Sequence, residues 1–293
     1  MADKVKKPLW LRLILWIISS LLSIAVLLGI ACAFLYIRYQ INVFTVGKQI
    51  KTLNEEVKLE RLLTNEYTAD DMAYAKELIE IDPETNSYTI PEAKMVEIMT
   101  DVRPLKLTDK QIGAFMAYIV DSLSTIKANV GGEIDLKDYG FRVVQVDLTY
   151  IDRNQADFNV VVKVDLTKVK EDMNKFPLNW LSKAIPKELY VSSTVTIAHG
   201  EDEFSYTTTS KGMSINNLSQ EDTADIFKTF RNFIQIDSVD AFNKTLGDTF
   251  VNILIGTPDA QGLSYSLKPF VRDFYFETGV VGDTTTDYYV LTK

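Results

Sequence analysis

The sequence predicts an α+β fold: one N-terminal transmembrane helix plus an extracytoplasmic domain of antiparallel, curved β-hairpins packed with amphipathic helices. Three observations predict it. An apolar run opens the chain, mid-chain segments alternate with a period of two, and segments with helical periodicity lie on either side of them. The order helices, hairpins, helices, strands is that of an α+β chain, not of repeated βαβ units.

The apolar run spans Leu13 to Ile37, interrupted only by Ser19, Ser20, Ser23 and Gly29. A helix rising about 1.5 Å per residue needs about 20 residues to cross the hydrocarbon layer, so this run is long enough. Trp10, Trp16, Tyr36 and Tyr39 lie near its edges, where amphipathic rings prefer to sit. Lys4, Lys6, Lys7 and Arg12 precede it, which predicts a cytoplasmic N-terminus. Ala31-Cys32-Ala33 resembles a cleavage site, and Cys32 a lipidation site. The run is longer than a signal-peptide core, Gly29 stands where a lipobox has Leu, and the chain stays apolar after Cys32. An uncleaved signal-anchor is therefore expected: a tail at 1–12, a membrane helix at 13–37, a juxtamembrane stalk at 38–66 and a domain at 67–293.

Charge narrows the partners. The formal net charge is −9; residues 1–40 carry +4, which leaves −13 on the remainder. An acidic body is repelled by nucleic acid and by anionic lipid surfaces, so neither nucleic acid nor a basic-face membrane contact is expected. The expected partners are the lipid bilayer itself and a lipid ligand or integral membrane protein. Cys32 is the single cysteine, so the external part has no disulfide. That points to a bacterial envelope, Gram-positive in type.

Along the external part, Val46, Ile50, Leu53 and Val57 give a helix over 43–63. Thr68 caps a helix over 69–80, which Asp82-Pro83 ends. Pro91 opens another helix, and Thr108-Asp109-Lys110-Gln111 is a capping box for a helix to Ser124. Phe141–Ile151 and Phe158–Leu166 form the first hairpin, with Phe158, Val160, Val162, Val164 and Leu166 on one face. Leu189–Ala198 and Glu203–Ser210 form the second. Ser219 opens a helix over 220–234, and Asp237 or Ser238 opens one over 239–255. Strands are expected over 262–267, 270–278 and 286–291.

No catalytic signature emerges, and a non-enzymatic protein without a cofactor is expected. His199, the single histidine, lies in a hairpin turn beside Gly200, Glu201 and Asp202 and reads as a solvated turn residue. No G-x-S-x-G elbow accompanies it. Ser124-Thr125-Ile126-Lys127 matches S-x-x-K without its companion motifs. Asp82-Pro83-Glu84-Thr85-Asn86 starts like a calcium loop but has Ser87 and Ala93 where Gly and Glu are required. The sequons at Asn217 and Asn243 are of a kind chance supplies easily. The remaining signal is apolar. Phe115, Ile119, Phe227, Phe230, Phe242, Leu246 and Phe250 form helical stripes that are either core or the lining of an acyl-chain groove.

One stretch carries a resemblance. Leu107-Thr108-Asp109-Lys110-Gln111-Ile112 opens a helix, and Val164-Asp165-Leu166-Thr167 with Lys170 follows the first hairpin. Ile185-Pro186 and Leu189-Tyr190-Val191-Ser192-Ser193-Thr194 come next. Residues 105–215 resemble uncharacterised single-pass envelope proteins of Gram-positive bacteria, and more distantly the tubular lipid-binding and AsmA-type domains. The resemblance implies lipid or envelope-polymer handling, which makes a lipid or lipid-linked envelope component the expected ligand. The alternative is a scaffold or accessory subunit of a membrane-embedded enzyme or transporter, for which Ser19, Ser23 and Gly29 would allow close helix approach.

Overall fold

The computed structural model describes residues 19–20, 43–82, 87–123, 127–129, 133–135, 140–173, 185–234, 238–258, 262–281 and 284–293. The expected membrane helix and cytoplasmic tail lie outside the described residues, apart from Ser19 and Ser20. No described helix is long and apolar enough to cross a membrane.

The described chain is α+β with antiparallel sheets. Helices α1 (Val43–Asn54), α2 (Leu59–Leu62) and α3 (Ala69–Leu78) come first, followed by the small hairpin β1 (Glu80–Asp82) and β2 (Ser87–Thr89). Next are α4 (Glu92–Thr100), β3 (Leu105–Thr108), α5 (Asp109–Leu123), and the short pair β4 (Lys127–Asn129) and β5 (Glu133–Asp135). The central sheet is β6 (Arg142–Asp152), β7 (Gln155–Asp165), β8 (Glu188–His199) and β9 (Tyr206–Ile215), with α6 (Thr167–Met173) between β7 and β8. Then follow α7 (Gln220–Ile234), α8 (Val239–Leu254), α9 (Leu263–Ser266), β10 (Asp273–Val281) and β11 (Thr284–Thr292).

The helix starts follow their capping chemistry. At α3, the Asp71 amide donates to the Thr68 hydroxyl and the Thr68 amide returns to the Asp71 carboxylate. The Thr108–Gln111 box closes the same way at α5, at 3.2 and 3.0 Å. Ser219 caps α7 and Ser238, not Asp237, caps α8. Pro91 sits one residue before α4, at its cap.

The central sheet runs β6-β7-β8-β9 and a second sheet runs β10-β11-β3, all antiparallel. On β7 the expected face is buried: Phe158, Val160, Val162 and Val164 are at most 1% exposed. Helix α5 packs on β6, α8 packs on β8 and β9, and the two helices touch. Asn243 of α8 is fully buried and fastens this layer. Its amide nitrogen donates to the Thr194 carbonyl and the Ser210 hydroxyl, each at 2.8 Å, and its oxygen accepts from Ser193 at 2.7 Å. A side chain so enclosed is no acceptor for a glycan.

Three expectations are corrected. The helix over 43–63 breaks after Asn54, and it is docked: Leu53 is buried, and Asn216 Nδ2 donates to its carbonyl at 2.9 Å. Asn216 adopts a positive φ of 50°, a geometry Asn tolerates, and its oxygen also accepts from Tyr190 N. The expected strand over 262–267 is instead α9. The last carbonyls of α8 need partners, and the returning chain supplies them: Ser264 Oγ donates to Leu254 O, and Tyr265 N to Ile255 O. Finally, strands arise where none was expected: the short hairpins β1–β2 and β4–β5, and β3, to which β11 offers a free edge.

Candidate functional site

Six of the seven apolar candidates are core side chains. Phe115, Ile119, Phe227, Phe242, Leu246 and Phe250 are all at most 3% exposed and belong to one continuous core. Phe227 and Phe242 pack ring to ring at 5.5 Å. Phe230 lies on α7, but its side chain is outside the described set. Such stripes pack because burying each side chain removes apolar surface from water on the order of 1.5–3 kcal/mol apiece. The described clefts are lined by other residues.

His199 is also corrected. It is largely buried, with its side chain 14% exposed. Nδ1 faces Gly200 O at 2.6 Å and Nε2 faces Asp273 Oδ1 at 2.8 Å. Both partners are oxygen acceptors, so neither ring nitrogen is left to serve a nucleophile, and no catalytic triad is built here. Asp273 also accepts from Phe204 N and Phe274 N, and the imidazole packs on Phe274 at 4.7 Å. The group therefore pins the β8–β9 hairpin end to the second sheet. His199→Leu is expected to destabilise the protein by about 1–3 kcal/mol, the scale of lost buried hydrogen bonds. Urea denaturation of the full chain in micelles measures this, and an unchanged midpoint would return His199 to the role of a solvated turn residue.

The S-x-x-K serine and the core of the calcium-like loop lie outside the described residues. Glu201, Asp202 and Glu203 are exposed. Among the described residues no group of three or more His, Cys, Asp or Glu side chains could hold a metal ion.

A cleft of about 810 Å³ lies where the start of β9, the outer face of α8 and the α8–α9 turn meet. Helical spacing places Lys244, Asp248 and Asn252 on one face of α8, since residues four apart are neighbours. Lys244 Nζ lies 2.7 Å from Asp248 Oδ2 and 3.0 Å from Thr208 Oγ1, and Thr208 donates to the other Asp248 oxygen. Tyr206 donates its hydroxyl proton to Asn252 Oδ1 at 2.6 Å. Burial, helped by the nearby Asp248 charge, pushes the Tyr206 phenol well above its usual range, so it stays a neutral donor. With its oxygen engaged, Asn252 keeps an amide NH₂ that no described residue accepts.

The far wall is α9. Tyr265 is half-buried, and the exposed Lys268 ammonium lies 5.5 Å from its ring centre. Behind it Ser264 is fully buried and bonded to the Tyr289 hydroxyl at 2.6 Å. Ser264 spends its one proton on Leu254 O, so Tyr289 is the donor to Ser264. Burial holds the Tyr289 phenol far above its ordinary pKa.

The cleft is balanced in charge: Lys244 and Lys268 face Glu203 and Asp248. It offers aromatic faces, hydroxyls, an amide and paired charges. Sequence reasoning missed it because its walls come from segments about 60 residues apart. The one local signal was the i, i+4 row Lys244, Asp248, Asn252. No protein-family model matches the chain, and no curated protein and no solved structure matches it.

Proposed function

We propose that this is a single-pass, membrane-anchored, non-enzymatic extracytoplasmic protein. Its Tyr206–Lys268 cleft binds the polar, hydroxyl-rich part of a lipid-linked envelope component. The anchor rests on the apolar run 13–37 and its basic flank, which confine the ligands the domain meets to those at the membrane surface. Helix α1 ends bonded to the body through Asn216, so residues 43–54 belong to the folded domain.

The observation that carries the ligand class is the charge-balanced, amide- and tyrosine-lined cleft. An acyl chain would need an apolar lining, and six of the seven apolar side chains expected to supply one are core. An anion would find the carboxylates of Glu203 and Asp248 opposing it. A neutral polyol meets complementary groups: the flat C–H face of a sugar ring lies on Tyr265, and its hydroxyls pair with Asn252, Thr207 and the lysines.

The test uses the full chain in phosphatidylcholine nanodiscs, avoiding sugar-based detergents. Soluble envelope-type disaccharides are titrated and followed by saturation-transfer NMR. Wild-type protein is expected to give saturable binding, and Tyr265→Ala to weaken it by about tenfold or more, a loss of about 1.4 kcal/mol. Tyr265 is only half-buried, so the melting temperature should stay close to wild type. Failure of every neutral saccharide to bind, or equal binding by Tyr265→Ala, overturns the reading.

A further inference from the structure

A second cleft, of about 530 Å³, is built between α4 and β3 and has the opposite electrostatic character. Its cations come from two parts of the chain: Lys94 on α4, Arg103 in the following turn and Lys106 on β3 from one stretch, and Lys293 beyond β11 from the other. Two carboxylates, Glu97 and Asp101, line it with them. Residues 41–293 carry −13 overall, so a cleft whose four cations meet three carboxylates, Glu277 from outside it included, stands out from the acidic body.

The cations are held in place. Lys94 Nζ pairs with Glu97 at 2.8 Å and lies 5.3 Å from the Tyr74 ring centre, with its side chain only 12% exposed. Burial, with the Glu97 and Glu77 charges, pushes the Tyr74 phenol up to about 12, so the wall beside Lys94 is neutral. Lys106 is braced from outside the cleft by Glu277 at 2.5 Å, and that bond raises its pKa. Arg103 is bidentate on Asp101, and the guanidinium holds the Asp101 carboxyl far below its usual range. Lys293 donates to the Ile98 carbonyl and so places its ammonium at the cleft wall.

The geometry points to a binding site for a phosphoryl anion. A compact, multiply charged group with several acceptor oxygens can reach Lys293, Lys106 and Arg103 together. Two of those keep donors to spare: Lys293 uses one ammonium proton on Ile98 O, and Arg103 has five N–H donors against one carboxylate. The exposed Arg103 swings between Asp101 and the incoming anion at little cost, because its ion pair is in water. A monovalent halide gains no such multidentate contact. This site is separate from the Tyr206–Lys268 cleft, and the proposal does not rest on the saccharide reading.

The test is calorimetric titration of the full chain with inorganic phosphate at constant ionic strength, in nanodiscs of zwitterionic lipid and in nanodiscs containing an anionic phospholipid. Saturable binding in zwitterionic nanodiscs is expected. The double variant Arg103→Gln/Lys293→Gln should lose about tenfold or more in affinity with a melting temperature close to wild type, since Arg103 is exposed and the amide of a glutamine at 293 can still donate to the Ile98 carbonyl. If the anionic lipid competes with phosphate, the occupant is a lipid headgroup; if affinity is equal in both nanodiscs, it is a free phosphorylated ligand. Either outcome supports the site. Absence of saturable binding, displacement by chloride as readily as by phosphate, or undiminished binding by the double variant overturns it.

Discussion

Phe242→Ala is expected to lower the unfolding free energy by about 3–5 kcal/mol, the usual cost of emptying a large aromatic site in a packed core. Phe242 is 1% exposed, packs against the tilted ring of Phe227 across α7 and α8, and sits one residue from Asn243, whose three hydrogen bonds fix α8 on the sheet. The surroundings are constrained on both sides and cannot easily collapse into the vacated space, which puts the cost toward the upper part of that range. The same substitution separates the two ways of reading the helical stripes. A residue lining an acyl groove would be dispensable for folding, and truncating it would cost ligand instead. Urea denaturation of the full chain in micelles, followed by circular dichroism, decides between them. A loss below about 1 kcal/mol, well under the core range, would revive the groove.

What could be read from the sequence was what local chemistry dictates. The Thr68, Thr108, Ser219 and Ser238 caps each satisfy an amide within three residues, so their signals survive without a fold. The β6–β7 and β8–β9 hairpins announce themselves by alternation over ten or so residues. What could not be read was whatever depends on a distant partner. Strand β3 is only Leu105–Thr108, and it is a strand because β11, with partners 180 to 186 residues later, lies beside it. His199 looks like a turn residue until Asp273 is brought to 2.8 Å. The stripes on α5, α7 and α8 gave the burial pattern but could not say against what they were buried.

The same limit applies to charge. A composition of −13 over residues 41–293 rightly describes the mean field, and it argues against nucleic acid. It says nothing about where individual charges meet. Folding gathers Lys94, Arg103, Lys106 and Lys293 at one cleft while pairing Lys244 with Asp248 in the other. The two clefts therefore differ in electrostatic character on one acidic body, a distinction that no sum over the sequence contains.

Gly262→Ala is expected to destabilise the protein by about 3 kcal/mol or more, at the top of the range for overpacking a closed site. The backbone at Gly262 is ordinary extended chain, with φ −101° and ψ 174°, so conformational freedom is not what the position requires. Space is. An added Cβ would come closer than 3.0 Å to the amide nitrogen and Cα of Gly256 and to the carbonyl oxygen of Asn252. All three are backbone atoms at the end of α8, and none can rotate away as a side chain would. Relief requires lifting α9 off α8, which breaks the Ser264–Leu254 and Tyr265–Ile255 bonds and strands the buried Tyr289 hydroxyl. It also displaces Tyr265 and Lys268, the far wall of the cleft, so saccharide binding should fall together with stability. Gly47→Ala is the control: nothing lies within 4 Å of a Cβ there, and at this exposed helical site the change should stabilise by roughly 0.5–1 kcal/mol. Melting curves of both variants beside wild type test the pair. If Gly262→Ala melts with wild type, the packing of α9 against the end of α8 is looser than described, and the cleft wall it supports is not fixed.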